Sequence, residues 1–370
     1  MIYKRMPIEK ESPEEMGYGN IRYNLAESSV SDYLLKDIQL NIGSLILCYT
    51  DHRGKPELRE LITHEYDNLH KENVLLTVGA ASALFIIASS LLTANDHLIV
   101  VRPNYATNIE TPKTIGCAIT YIDLLFENEW QPDLPAIEKA INSNTRYISI
   151  THPHNPSGTL LKRETLDAII KIAEEKNIYV LVDETYRDLS FATAYPVAAS
   201  LSPNVISVSS VSKAYGLPGL RLGWLITQNE KLLELFLAAK EQIFITNSVI
   251  DEEIAFQFLS ERETYQATIK QHILTNFSIL EKWIEQEHRM EWIKPGGGVV
   301  CFLGIKEPGK FNVPLFYRRL LNEYGTLVGP GHWFEMPHHY MRIGYAWPKT
   351  EELIAGLKNI SKALDDAQTK

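Results

Sequence analysis

The chain has 370 residues, 45% of them hydrophobic, and a formal net charge of -10. Such a length exceeds what one compact core usually holds, so two domains are expected, with apolar residues ample for both. The acidic balance and the lack of a long basic cluster exclude a nucleic-acid surface, and the longest strongly apolar region, Leu84 to Thr93, is too short to span a bilayer, which excludes a membrane role.

The N-terminal residues Met1 to Lys10 are too polar for a signal peptide. Cys48, Cys117 and Cys301 are scattered and form no Cys-x-x-Cys, which fits free thiols and a cytoplasmic location. Between 74 and 227 strand patterns at 74–78, 97–101, 118–122, 146–150, 178–182, 204–209 and 222–227 are interleaved with helical patterns at 80–93, 106–115, 133–141 and 162–175. That alternation predicts an α/β fold with a mostly parallel, seven-stranded sheet sandwiched by helices. Helical periodicity follows at 231–237, 252–259 and 263–286, and from Trp292 onward two or three short strands and helices at 312–323 and 350–365 predict a smaller α+β domain. The expected division is an N-terminal arm and part of the small domain over 1–41, a large domain over 42–270 and a small C-terminal domain over 271–370.

Chemistry-bearing residues gather where the predicted strands end. The run Arg146 to Ile150 closes on the turn Asn155-Pro156-Ser157-Gly158, Ile178 to Val182 closes on Asp183 with Tyr186 three residues on, and Val205 to Ser210 closes on Lys213. In open α/β sheets ligands bind beyond the carboxyl ends of the strands, so Lys213 is expected in a loop where partial desolvation lowers its amine pKa and suits it to Schiff-base chemistry. A carboxylate such as Asp183 at that depth is costly unless paired. Upstream, Leu75 to Val78, Gly79-Ala80-Ala81 and the apolar run that follows read as strand, glycine turn and helix, a phosphate-binding helix start.

In order and spacing these pieces resemble the pyridoxal-phosphate (PLP) enzymes of fold type I, the aspartate aminotransferase fold, and within it the class I/II aminotransferases. The matching residues are Tyr49 with Gly54 and Leu58-Arg59, Gly79-Ala80-Ala81, Pro103-Asn104-Tyr105, Asn155-Pro156-Ser157-Gly158, Asp183-Glu184-Thr185-Tyr186, Ser210 to Lys213 with Arg221, Pro330-Gly331 and Met341-Arg342-Ile343. The resemblance implies a cofactor, PLP, joined to Lys213 as an internal aldimine, with Lys213 later shuttling the proton between the substrate Cα and C4′. It makes Asp183 the partner of the pyridine nitrogen, Asn155 and Tyr186 the donors to the phenolic oxygen, and Tyr105 the ring stacked on the pyridine face. Gly79, Ala80, Ala81, Ser210, Ser212 and Arg221 fall to the phosphate, with Ser82 a further candidate, and Tyr49 reaches the phosphate of a second subunit, implying a homodimer with shared active sites. Arg342 is implied for the substrate α-carboxylate, beside Asn155, while Ala26 and Glu27 lie in an arm that closes over the substrate.

Amino-group transfer between an amino acid and a 2-oxo acid, by a ping-pong route, is the expected activity. A PLP lyase or cyclising synthase shares the same residues and stays open, whereas an inactive binding module is disfavoured by Lys213, Asp183 and Arg342. Ser210-Val211-Ser212-Lys213 also satisfies Ser-x-x-Lys of penicillin-binding proteins, but neither Ser-Asp-Asn nor Lys-Thr-Gly occurs. His332, Glu335, His338 and His339 crowd one loop without His-Glu-x-x-His, so no metal site is assigned. Gly296-Gly297-Gly298 leads into a strand and fails as a dinucleotide fingerprint. Two departures from the family pattern, Glu335 after Phe334 and Glu27 among the serines of the arm, suggest acids that receive a basic or polar substrate side chain.

Overall fold

A computed structural model of the chain describes residues 1–192 and 194–369. Seven strands form the large sheet: β1 (Val74–Thr77), β2 (His97–Arg102), β3 (Ala118–Asp123), β4 (Thr145–Thr151), β5 (Tyr179–Asp183), β6 (Val205–Ser210) and β7 (Gly223–Ile226). Their order is β1-β7-β6-β5-β4-β2-β3, and every pairing is parallel except those of β7, which runs antiparallel to both β1 and β6. The strands are apolar almost throughout because both faces are covered. Leu98, Val100, Leu181 and Ile206 pack with Leu84 and Ile87 of the helix Gly79–Leu91 and with Phe236 of the helix Glu230–Ile243. Their alternates Ile99, Val101, Val180 and Val182 pack on the opposite face with Leu166 and Ile169 of the helix Arg163–Lys176.

The second sheet is antiparallel and has four strands, Gly329–Pro330, Tyr340–Gly344, Val300–Ile305 and Met290–Trp292, where the sequence suggested two or three. Its core joins Val300 and Leu303 to Phe277 and Leu280 of the helix Arg262–Gln286, Phe316 of Val313–Asn322, and Leu357 and Ile360 of Thr350–Ala367. Position 270 lies inside the 25-residue helix Arg262–Gln286, which therefore runs through the expected large-to-small division.

Two further features depart from the sequence reading. Lys213 stands on a one-turn helix, Val211–Ala214, in place of a loop, because β6 continues to Ser210, whose Oγ caps the turn by accepting from the Ser212 N–H at 3.3 Å. Two short helices at the N-terminus, Pro7–Lys10 and Pro13–Met16, were not anticipated. From there the arm pairs Tyr23–Asn24 with Thr326–Leu327, and the Leu25 carbonyl accepts from Gly344 N–H at 2.8 Å. Farther on, the Val30 N–H donates to the Lys213 carbonyl at 3.1 Å, so the arm is tied directly to the turn that carries the lysine.

Candidate active site

The carboxyl ends of β4, β5 and β6 open into one cleft roofed by the arm and closed on its far side by the second sheet. It is lined by Ala26, Glu27, Ala80, Ala81, Tyr105, Asn155, Asp183, Tyr186, Ser210, Ser212, Lys213, Arg221 and Arg342. The structure thus brings together thirteen of the residues singled out from sequence. Gly79 sits directly behind them, Ser82 does not line the cleft, and Tyr49 stands apart from it, 80% exposed.

The cleft floor is built from neighbouring strand ends. Asp183 is 4% exposed at the tip of β5 and accepts from the Thr185 hydroxyl at 2.6 Å and the Thr185 N–H at 3.2 Å, with Asn108 as a further side-chain donor. All these partners are neutral, and burial raises its pKa. It is a deep carboxylate without a cation among the described residues, a place for a protonated ring nitrogen. Asn108 is itself held by Asn104 Oδ1 at 3.2 Å, which also accepts from Thr151 at 2.7 Å. Lys213 is half-buried on the adjacent strand end, and burial lowers its amine pKa, opposed by the charge of Glu27 and assisted by that of Arg342. No carboxylate pairs with it within salt-bridge distance among the described residues, so the amine is poised as a base and nucleophile.

An anion cradle lies at the start of the helix Gly79–Leu91, where Ala80 and Ala81 present backbone N–H groups beside Ser210, Ser212 and Arg221. Gly79 has φ +73, and a Cβ there would stand 2.7 Å from Arg221 Nη2; glycine is needed both for the turn and for the guanidinium to approach it. The packing behind is equally tight, since a Cβ on Gly223 of β7 would meet Ala80 N at 2.7 Å. A phosphate, a flat ring against Tyr105, a ring nitrogen at Asp183 and an aldehyde at Lys213 are the groups this set of donors and acceptors fits.

Arg342 is 3% exposed on a strand buried on both faces, not on a half-solvated one. Its Nη2 donates to the Ala26 carbonyl at 2.7 Å and its Nη1 to Asn155 Oδ1 at 3.2 Å, its guanidinium lies 5.0 Å from the Phe334 ring, and its Nε has no partner among the described residues. An unpartnered buried guanidinium donor is a strong invitation to a carboxylate. Tyr186 differs from the sequence reading in one respect, because its hydroxyl donates to the Ser28 carbonyl at 2.8 Å.

Sequence reasoning gave no role to Thr185, Thr151 and Trp333, and above all none to the arm residues Ile8, Glu9, Ser12, Pro13 and Glu14, all of which line the cleft. A signal for the arm existed. Ser12-Pro13-Glu14-Glu15 has a capping serine, proline at the first helical position and glutamate at the third, and Ser12 Oγ does accept from the Glu15 N–H at 3.4 Å.

The profile of the family described as aminotransferase class I and II matches residues 15–360. An aspartate aminotransferase of Pyrococcus horikoshii is 30% identical over 329 residues, covering 86% of this chain and 83% of that protein. The capreomycidine synthase of Streptomyces vinaceus is 28% identical over 297 residues, covering 79% of this chain and 74% of that one. Among solved structures, a PLP-dependent aminotransferase from Streptococcus suis superimposes with a TM-score of 0.91 at 28% identity, over 100% of both chains.

Proposed function

The chain belongs to the class I and II aminotransferases, and from that premise we propose that the residues of this one cleft divide the work of a pyridoxal-phosphate enzyme among them. It is a PLP-dependent aminotransferase, moving an amino group between an amino acid and a 2-oxo acid. When bound, the cofactor supplies an electron sink that acidifies the Cα–H of the amino acid joined to it. Asp183 holds the proton on the ring nitrogen, as its burial among neutral donors favours once a cation is beside it. Tyr105 supports the ring face, and Ala80, Ala81, Ser210, Ser212 and Arg221 hold the phosphate, with Gly79 allowing the turn. Asn155 and Tyr186 donate to the phenolic oxygen, Tyr186 exchanging the Ser28 carbonyl for that acceptor.

Lys213 would anchor the cofactor and, as a free amine, would hold and move the proton taken from the substrate Cα. Arg342 grips the α-carboxylate with its free Nε and the edge of its fork, and by fixing that group turns the Cα–H toward Lys213. The observation that carries this reading is the juxtaposition, on adjacent strand ends, of an unpaired buried carboxylate and a desolvated lysine.

Its assembly follows from the surface around Tyr49. Ile46, Leu47 and Tyr49 are exposed, as are Ile243, Ile245 and Ile250, and Tyr49 and Leu47 share a hollow with Asn247 and Ile250. We assign this strip to a second copy of the chain, with Tyr49 reaching the partner's phosphate cradle. The unpaired thiols of Cys48, Cys117 and Cys301 support a reducing, cytoplasmic setting, and no helix among the described residues is long and apolar enough to cross a membrane. The division into an arm over 1–41, a cofactor-binding unit over 42–270 and a C-terminal unit over 271–370 is a proposal of the same kind, with the cleft at their meeting.

The test is the visible spectrum of the purified protein and of Lys213→Ala, before and after single amino acids are added without an acceptor, followed by identification of the product. A visible band that bleaches stoichiometrically with release of a 2-oxo acid in the wild type, and hardly bleaches in the variant, is expected. A cyclised product, or ammonia in place of an aminated cofactor, would transfer the chain to the reading as a PLP lyase or cyclising synthase. A protein that takes up no PLP would overturn the assignment of the cleft. Sedimentation of Leu47→Glu beside the wild type tests the assembly, and two monomeric species would overturn it.

A further inference from the structure

The charges of the cleft do not balance once the proposed roles are filled, and this inference rests on those roles. Four carboxylates line it, Glu9, Glu14, Glu27 and Asp183, against three cationic side chains, Lys213, Arg221 and Arg342. Asp183 belongs to the ring nitrogen and Arg221 to the phosphate. Arg342 is matched by the substrate α-carboxylate, and Lys213 works as a neutral amine. Among the described residues Glu27 then has no ion-pair partner, and of the two exposed acids beside it Glu14 has none and Glu9 feels only the charge of Arg5.

Glu27 is the centre of the set. It is 9% exposed, and its carboxyl has one hydrogen bond among the described residues, from the Tyr18 hydroxyl at 2.9 Å, and no ion-pair partner. Glu15, next to Glu14 in the chain, is satisfied by Arg5 at 2.9 Å, whereas Glu9 and Glu14, on the two short arm helices, line the cleft. Burying an acid without a cation is unfavourable, and a site built so must receive its counter-charge from the ligand. The second sign that this end of the cleft awaits a ligand is Arg342, 3% exposed with an unpartnered Nε, whose Nη2 is bonded to the carbonyl of Ala26, the residue before Glu27. The cation receptor thus stands one residue along the arm from the carbonyl that holds the carboxylate receptor.

We propose that the amino donor is an amino acid with a cationic side chain, an amine or a guanidinium, received by Glu27 with Glu9 and Glu14 while Arg342 holds its carboxylate. An aspartate-like donor, as the names of several relatives denote for those proteins, would instead bring a second carboxylate against three acids.

The experiment separates binding from turnover by using analogues that lack the α-amino group and so cannot undergo amino transfer from Cα. Titration calorimetry on the PLP-loaded protein compares 6-aminohexanoate and 5-guanidinopentanoate with hexanoate and adipate, probes of similar chain length differing in the charge of the distal group. At least one cationic probe should bind about tenfold or more tighter than hexanoate, and adipate weakest. Glu27→Gln should erase the preference while leaving hexanoate unchanged, and Glu27→Asp should retain part of it. Hexanoate or adipate binding as tightly as both cationic probes would overturn the proposal, as would a preference untouched by Glu27→Gln. Failure here is distinguishable from failure of the aminotransferase reading. If neutral or acidic amino acids bleach the visible band as readily as lysine and arginine, only the substrate class is wrong. If none bleaches it, the reading beneath is wrong as well.

Discussion

Asp183 and Glu27 are both buried carboxylates of the same cleft, and burial raises the pKa of each. Their settings are otherwise opposite. Asp183 ends a strand paired on both sides and takes its donors from Thr185, two residues on, and from the Asn104, Asn108 and Thr151 network beneath. Glu27 lies on an irregular segment whose place is set by long-range bonds, Leu25 to Gly344 and Val30 to Lys213, and its single donor comes from a half-exposed tyrosine. A group fixed by the sheet serves what every turnover repeats, and a group fixed by an arm serves what distinguishes one substrate from another. If so, substitutions on the floor abolish chemistry and substitutions on the arm redistribute preference.

The largest effect is expected at Lys213. Lys213→Ala should slow bleaching of the visible band by a bound amino acid about 10³-fold or more, since both anchor and proton carrier are lost. Single-turnover absorbance measures it, and a loss confined to cofactor affinity would show that another group carries the proton. Asp183→Asn comes next, with a fall of about 10²-fold in the same rate, roughly 3 kcal/mol, because an amide cannot hold a proton on the ring nitrogen. Equilibrium dialysis should show weaker PLP retention in parallel.

Glu184, the neighbour of Asp183, tests the floor through stability. Burial pushes its carboxyl up to about 7, while both its oxygens accept from the Ala198 N–H. A folded-state pKa above the unfolded value near 4.5 means that the native protein binds more protons between those limits. Stability is therefore fully present below that window and is lost as pH rises through about 7. Relative to Glu184→Gln, the wild type should lose on the order of 3 kcal/mol between about pH 5 and pH 8, read from urea unfolding at several pH values. A pH-independent difference would place the charge in solvent contact. A smaller effect follows for Arg342→Lys, which keeps the charge and loses the fork: KM for the amino donor should rise about tenfold with little change in the bleaching rate at saturation.

The division between floor and arm also marks what the sequence could disclose. Strands 146–150, 178–182 and 204–209 are visible as short apolar, β-branched runs with turn chemistry or polar residues after them, and Asn155, Asp183 and Lys213 are attached to those ends by covalent proximity alone. The antiparallel course of β7 has no local signature, because its apolar run reads the same in either direction. The helical turn under Lys213 is four residues long and carries no periodicity to detect. Tyr186 illustrates a different limit: its position three residues after Asp183 was legible, but its hydrogen bond to Ser28 spans 158 residues. Glu9 and Glu14 reach the cleft only because the arm folds over it, and no pattern within residues 1–20 points across that distance.

Tyr18 offers the finest probe of the arm. Its ring stacks on Trp347 at 6.0 Å while its hydroxyl donates to Glu27, so Tyr18→Phe removes the donor and keeps the stacking. The ring is largely at the surface, and the loss in unfolding free energy should stay under about 1 kcal/mol. Its consequence lies in the cleft, where that bond favours the ionised carboxylate and its removal lets burial push the Glu27 pKa higher still. A more easily protonated Glu27 is a weaker cation receptor near neutral pH, so the advantage of 6-aminohexanoate over hexanoate should shrink about two- to threefold and recover as pH is raised. Recovery at high pH is what a mere strut would not produce. If the preference instead falls equally at every pH, Tyr18 only positions the arm, and the distinction between a floor that does chemistry and an arm that tunes it would rest on Glu27 alone.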